Sequence, residues 1–124
     1  MTLKELYSNF GENYEQALRV LRIEKLMDKH IRKLIPSGLI DSLLAAGQSM
    51  DPVRLFETAH AVKGTCGNLG LTRLAAAASE ISEEFRPGKG RKKTDAEVAA
   101  MLEEIAALYE KIAEEIRKYE PENP

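Results

Sequence analysis

The residue best suited to chemistry is His60, in the run Ala59-His60-Ala61-Val62-Lys63-Gly64-Thr65-Cys66-Gly67-Asn68-Leu69-Gly70. Imidazole is nucleophilic near neutral pH because its unperturbed pKa is about 6.5. It can accept a phosphoryl group and pass it on. Lys63 follows three residues later, and an ammonium is a point-charge binder of phosphate. Such a cation helps to hold phosphoryl oxygens during in-line transfer. On an exposed surface its charge contributes about 1 kcal/mol or less at rest.

These residues act together only on a helix, which turns about 100° per residue. With His60 as the reference direction, Lys63 lies near about −60°, Gly64 near about +40° and Gly67 near about −20°. Leu55, Ala59, Val62, Cys66 and Leu69 form an apolar stripe on the opposite side, which predicts a core-facing surface there. His60 is therefore predicted to point to solvent beside one cation and two glycines. A glycine inside a helix costs about 1 kcal/mol relative to alanine, so the pair costs about 2 kcal/mol if additive. Nothing on the buried side needs them. Access explains them: without a Cβ beside the imidazole, a bulky group or another protein's surface can reach a ring nitrogen. Phe56 lies one turn earlier, near about −40°. It has two readings, a docking contact of the kind aromatics make at interfaces or packing at the bundle rim.

Most surface histidines are simply solvated. The lysine and glycines set His60 apart from His30, whose neighbours Lys29, Arg32 and Lys33 are basic and which is read as an ordinary surface residue. Cys66, on the apolar stripe, is read as a small buried hydrophobe.

The rest of the chain supplies helices to position this segment. Thr2-Leu3-Lys4-Glu5 is a capping-box pattern that opens a short helix, interrupted at Gly11. From about Asn13 to Leu34, helical spacing of Leu18, Leu21, Leu26, Ile31 and Leu34 predicts one long helix. Pro36-Ser37-Gly38 breaks it. A shorter helix is predicted from about Leu39 to Ala46, with Gly47 as its stop. Asp51-Pro52 reads as an N-cap followed by proline at the first helical position. Asn68-Leu69-Gly70 ends that helix, and Thr72 is read as the cap of the next, whose stripe is Leu74, Ala78, Ile81 and Phe85. Thr94-Asp95-Ala96-Glu97 is a second capping box. The last helix carries Val98, Met101, Ile105, Leu108, Ile112 and Tyr119 on one face. No segment alternates with period two, so no sheet is predicted. The fold class is all-α, an antiparallel four-helix bundle with an additional short N-terminal helix. A single domain is expected over 1–124, with helix and turn over 1–12, the bundle over 13–119 and a frayed tail over 120–124.

Composition narrows the function classes. The chain has 124 residues, 44% apolar and 31% charged, the profile of a soluble globular protein. A net charge of −2 argues against general nucleic-acid binding. The basic run Arg86–Lys93 lacks the Gly-Lys-Ser/Thr ending of a phosphate-binding P-loop and is read as a solvated turn. The single cysteine, Cys66, permits no intrachain disulfide and no cysteine-built zinc site, which fits a reducing compartment. The N-terminus lacks the apolar stretch of a signal peptide, and no apolar run is long enough to span a bilayer. A cytoplasmic protein is expected, with no metal or other cofactor and no membrane partner.

The run His60-x-x-Lys63-Gly64, followed by Asn68-Leu69-Gly70, resembles the signature of histidine phosphotransfer (HPt) domains. Phe10-Gly11-Glu12-Asn13-Tyr14, Asp51-Pro52 and Ala59 are also similar to that family, and the resemblance extends from roughly Leu3 to Tyr119. It implies a carrier in a His–Asp phosphorelay rather than an enzyme with its own nucleotide site. His60 would be the phosphoacceptor and Lys63 the phosphate-assisting cation. Gly64 would clear the approach, and Gly70 would shape the helix end. Gly67 departs from the usual alanine or serine but keeps the position small. The implied partners are response-regulator receiver domains and a sensor histidine kinase, met by a monomer. Two rivals stand beside this reading: a helical docking module that carries no phosphate, and a detached phosphoacceptor domain of a larger kinase. The intact His60-x-x-Lys63-Gly64 disfavours the first, and the lack of a nucleotide-binding pattern disfavours the second.

Overall fold

Thr2 opens α1 (Leu3–Phe10) with both arms of its capping box. The Glu5 N–H donates to Thr2 Oγ1 at 3.1 Å, and the Thr2 N–H donates to Glu5 Oε1 at 2.9 Å. Gly11 ends the helix in the left-handed region, at φ 77°. The structure, a computed structural model, describes residues 1–119. The tail over 120–124, expected to fray, lies outside the described residues.

The predicted long helix is two helices, α2 (Tyr14–Leu21) and α3 (Glu24–Lys33). Arg22 is left-handed at φ 70°, and Ile23 after it is extended. Tyr14 Oη closes this corner by donating to the Glu24 carboxylate. The break rotates the second half out of phase with the first, so the buried residues differ from the predicted stripe. Ala17, Met27, Ile31 and Leu34 are buried, Leu18 and Leu21 are half-buried, and Leu26 is exposed.

The next helix, α4 (Leu39–Ser49), outlasts its prediction and runs through Gly47. Gly47 is not the stop. A Cβ there would collide with Leu102 Cδ1, so this glycine admits a neighbouring helix. Met50, left-handed at φ 51°, ends α4. Asp51 then caps α5 (Pro52–Asn68) as predicted, with Oδ1 accepting from the N–H of Val53 at 3.1 Å and of Arg54 at 3.4 Å.

Thr72 is not the cap of α6 (Thr72–Glu84). It is the first helical residue, and Leu71, in the cap position, makes no side-chain bond. Glu12, far away in sequence, takes one of the orphan backbone donors of this helix start and the Thr72 hydroxyl. Its carboxylate accepts from Thr72 Oγ1 at 2.7 Å and from the Arg73 N–H at 3.3 Å. A negative charge at a helix N-terminus is favourable against the helix dipole. The Thr94–Glu97 box opens α7 (Asp95–Tyr119) as predicted, at 2.9 and 3.1 Å.

Helices α4 to α7 form the four-helix bundle, each packed on the next, with α7 returning to α4. The order is antiparallel. Glu84, the last residue of α6, accepts from the N–H groups of Lys92 and Lys93 and lies beside Arg91, which bonds Asp95 at the first turn of α7, so α7 starts where α6 ends and runs back along it. The apolar stripes of α5 and α6 are buried throughout. The α7 face is wider than predicted, since Leu102, Tyr109, Ala113 and Ile116 are buried too, while Met101 and Leu108 sit half-buried at its edges. Helices α1 and α2 close the end of the bundle where α5 stops and α6 starts. Asp28 ties α3 to α7 by accepting from Arg32 Nε at 3.1 Å and from Tyr119 Oη. Among the described residues, no helix is long and apolar enough to cross a membrane.

Candidate functional site

Both ends of α5 are fixed, and that holds its exposed face still. Asp51 secures the start. At the other end the Gly70 N–H donates to Gly67 O at 3.1 Å and the Leu71 N–H to Cys66 O at 2.9 Å, the paired bonds of a Schellman stop. Gly70 is left-handed at φ 72°, and a Cβ there would lie 2.5 Å from Ala17 Cβ. Only glycine meets both demands. Tyr7, fully buried, donates from Oη to Leu69 O at 2.5 Å. Burial, reinforced by the Glu12 charge, lifts its hydroxyl well above the ordinary value, so it stays a donor.

Between these anchors, His60, Lys63, Gly64 and Gly67 are all exposed on one face, as the helical wheel predicts. A Cβ added at Gly64 or Gly67 would meet nothing within 4 Å. These two glycines therefore differ from Gly47 and Gly70, whose missing side chains make room for neighbours. Helical side chains lean toward the helix N-terminus. A side chain at position 64 would lean back over the His60 turn, and Lys63 leans the same way. The Lys63 side chain makes no hydrogen bond or ion pair with the other described residues. Phe56 is half-buried against the core, and its ring stacks on the His60 imidazole, with centroids 5.7 Å apart and planes 21° apart. Of the two readings of Phe56, the packing at the bundle rim is present, docking is left to experiment, and the imidazole contact is an addition to both.

A sequence model of the Hpt domain family matches residues 12–115. The chain belongs to the Hpt domain family. No curated protein and no solved structure matches it. Hpt domains are helical bundles that act as histidine phosphotransfer modules in phosphorelays and two-component signalling. They are carriers rather than kinase domains, and they meet receiver domains and kinases.

The remaining residues singled out in the sequence lie away from this face of the Hpt domain. His30 is exposed and, with Lys33, lines a groove of about 340 Å³ that reaches Thr65 and Asn68 of α5 but not His60. Cys66 is buried, and burial pushes its thiol up to about 12, so it is not a nucleophile near neutral pH. The basic loop is exposed as expected, yet it is not slack. Glu84, whose side chain is 4% exposed, accepts from the N–H of Lys92 at 3.0 Å and of Lys93 at 2.7 Å. Arg91 lies 3.5 Å from that carboxylate, bonds Asp95 at 2.8 Å, and covers the Phe85 ring at 4.6 Å. Lys89 and Arg86 pair with Glu83 at 3.5 and 3.3 Å.

Sequence reasoning missed Glu12 and Tyr7 as the residues that set the α5–α6 corner. Glu12 lay inside the Phe10–Tyr14 segment that resembles the family, which was the available signal. Tyr7 left none beyond its place on an apolar helix face.

Proposed function

We propose that this Hpt domain accepts a phosphoryl group on His60 and hands it to a receiver-domain aspartate. The observation that carries the reading is the bare strip around an exposed imidazole: two helical glycines whose missing side chains no neighbour requires, and one lysine whose side chain has no partner among the described residues. In the accepting step, the unprotonated ring nitrogen attacks phosphorus of an aspartyl phosphate. The N–P bond forms as the acyl O–P bond breaks, and the carboxylate leaves with the electron pair. The other ring nitrogen keeps its proton. In the donating step, a receiver carboxylate attacks phosphorus, the N–P bond breaks, and its pair returns to the ring. Lys63 offsets the charge on the phosphoryl oxygens in both directions. Gly64 and Gly67 leave the in-line path open.

The test is label transfer from a phosphorylated receiver domain. His60→Gln should abolish the label and His30→Gln should retain it. Full labelling of the His60 variant would end the assignment. Incubation with ATP alone should leave the wild-type protein unlabelled, and a label there would point to a kinase instead.

A further inference from the structure

We infer that Phe56 is a positioning residue for His60, a wall that holds the imidazole in the orientation used for transfer. This rests on His60 being the phosphoacceptor, as proposed above. A surface side chain on a helix is usually confined by its neighbours at i+3, i+4 and i−4. Here the i+4 neighbour is Gly64, which offers the ring nothing, and Gly67 beyond it is equally bare. The His60 imidazole makes no hydrogen bond with the other described residues. The residues that open access thus also remove what would hold the ring.

Phe56, the i−4 neighbour, supplies the missing constraint. Helical side chains lean toward the N-terminus, so the imidazole leans over Phe56. The observed 5.7 Å and 21° lie within the range of offset-stacked rings. Phe56 is itself seated, being half-buried and packed on the core cluster, so the wall does not move with the ring. The stack covers one face of the imidazole. Its edge, where the nitrogen lone pair lies, stays open. Attack on phosphorus runs along that edge, in the ring plane. A ring already held in its reacting orientation loses less freedom on reaching the transition state.

The test uses the full chain and a phosphorylated receiver domain. Phe56→Leu keeps an apolar group on the core and removes the ring. Phe56→Tyr keeps the ring. With Phe56→Leu, kcat for transfer should fall about two- to tenfold, the range set by one aromatic pair, while KM stays unchanged. The His60 ring-proton resonances should move downfield as the ring current is lost. Phe56→Tyr should restore both readouts. A raised KM at unchanged kcat would make Phe56 a docking contact and overturn the inference, as would wild-type behaviour of Phe56→Leu in both readouts. Should Phe56→Leu not fold, Phe56→Met carries the same expectations. If wild-type His60 takes no phosphate, the acceptor assignment falls and this inference with it. That outcome is distinguished from failure of Phe56 alone because the wild-type label is then absent.

Discussion

At Gly64 an added methyl group would meet nothing within 4 Å. Replacing a helical glycine there should therefore show propensity alone. Gly64→Ala is expected to gain up to about 1 kcal/mol in a thermal melt, and Gly64→Gln somewhat less. Activity should move the other way, because a side chain at this position leans over the His60 turn. Transfer rates should fall in the order glycine, alanine, glutamine. A destabilised glutamine variant would mean that the glycine serves packing, and normal transfer by that variant would remove the clearance argument. The exposed face was legible in the sequence because periodicity inside a capped helix is rigid, so angle alone places His60, Lys63, Gly64 and Gly67. The Phe56 stack was not legible. A wheel gives direction but neither reach nor ring orientation.

Helix ends divide by the distance between their partners. The Thr2–Glu5 and Thr94–Glu97 boxes and the Asp51 cap were readable because donor and acceptor lie within three residues of each other. Glu12 at the start of α6 and Tyr7 at the end of α5 act across 60 and 62 residues, which no local window contains. The left-handed Arg22 that splits α2 from α3 is of a residue type that gives no warning of the turn. Glu84 extends the same lesson to the loop before α7. The Lys93 N–H, above all, holds its carboxyl below the ordinary value, helped by Lys92 and Arg91. A carboxyl whose folded pKa is depressed stabilises the fold above its unfolded pKa, and the contribution fades as the pH falls through the folded pKa. Glu84→Gln should therefore lower the melting temperature at neutral pH. The gap from wild type should narrow under acid, and the Lys92 and Lys93 amides should exchange faster. An equal gap at neutral and acid pH would remove Glu84 from the acid response.

For the molecule as a whole, the bundle was legible as a set of facing apolar stripes, and the way α1 and α2 close its end was not. Stripes report that a face is buried but not against which neighbour. Cys66 gives a probe of the assembled core, since it lies on α5 opposite the exposed face and is fully buried. With its thiol pushed up to about 12, a thiol reagent at mildly alkaline pH should not modify the native protein, and the slow reaction that remains should track global opening. Rapid modification without unfolding would contradict the burial. The narrow strip around His60 also bears on traffic. On the proposed reading, a single imidazole on one helix face should seat one partner at a time, so that a donor departs before an acceptor arrives. Such a carrier follows double-displacement kinetics, with parallel lines in a reciprocal plot. An excess of either unphosphorylated partner should then slow flux by occupying the same strip, and throughput would depend on partner stoichiometry as well as on affinity.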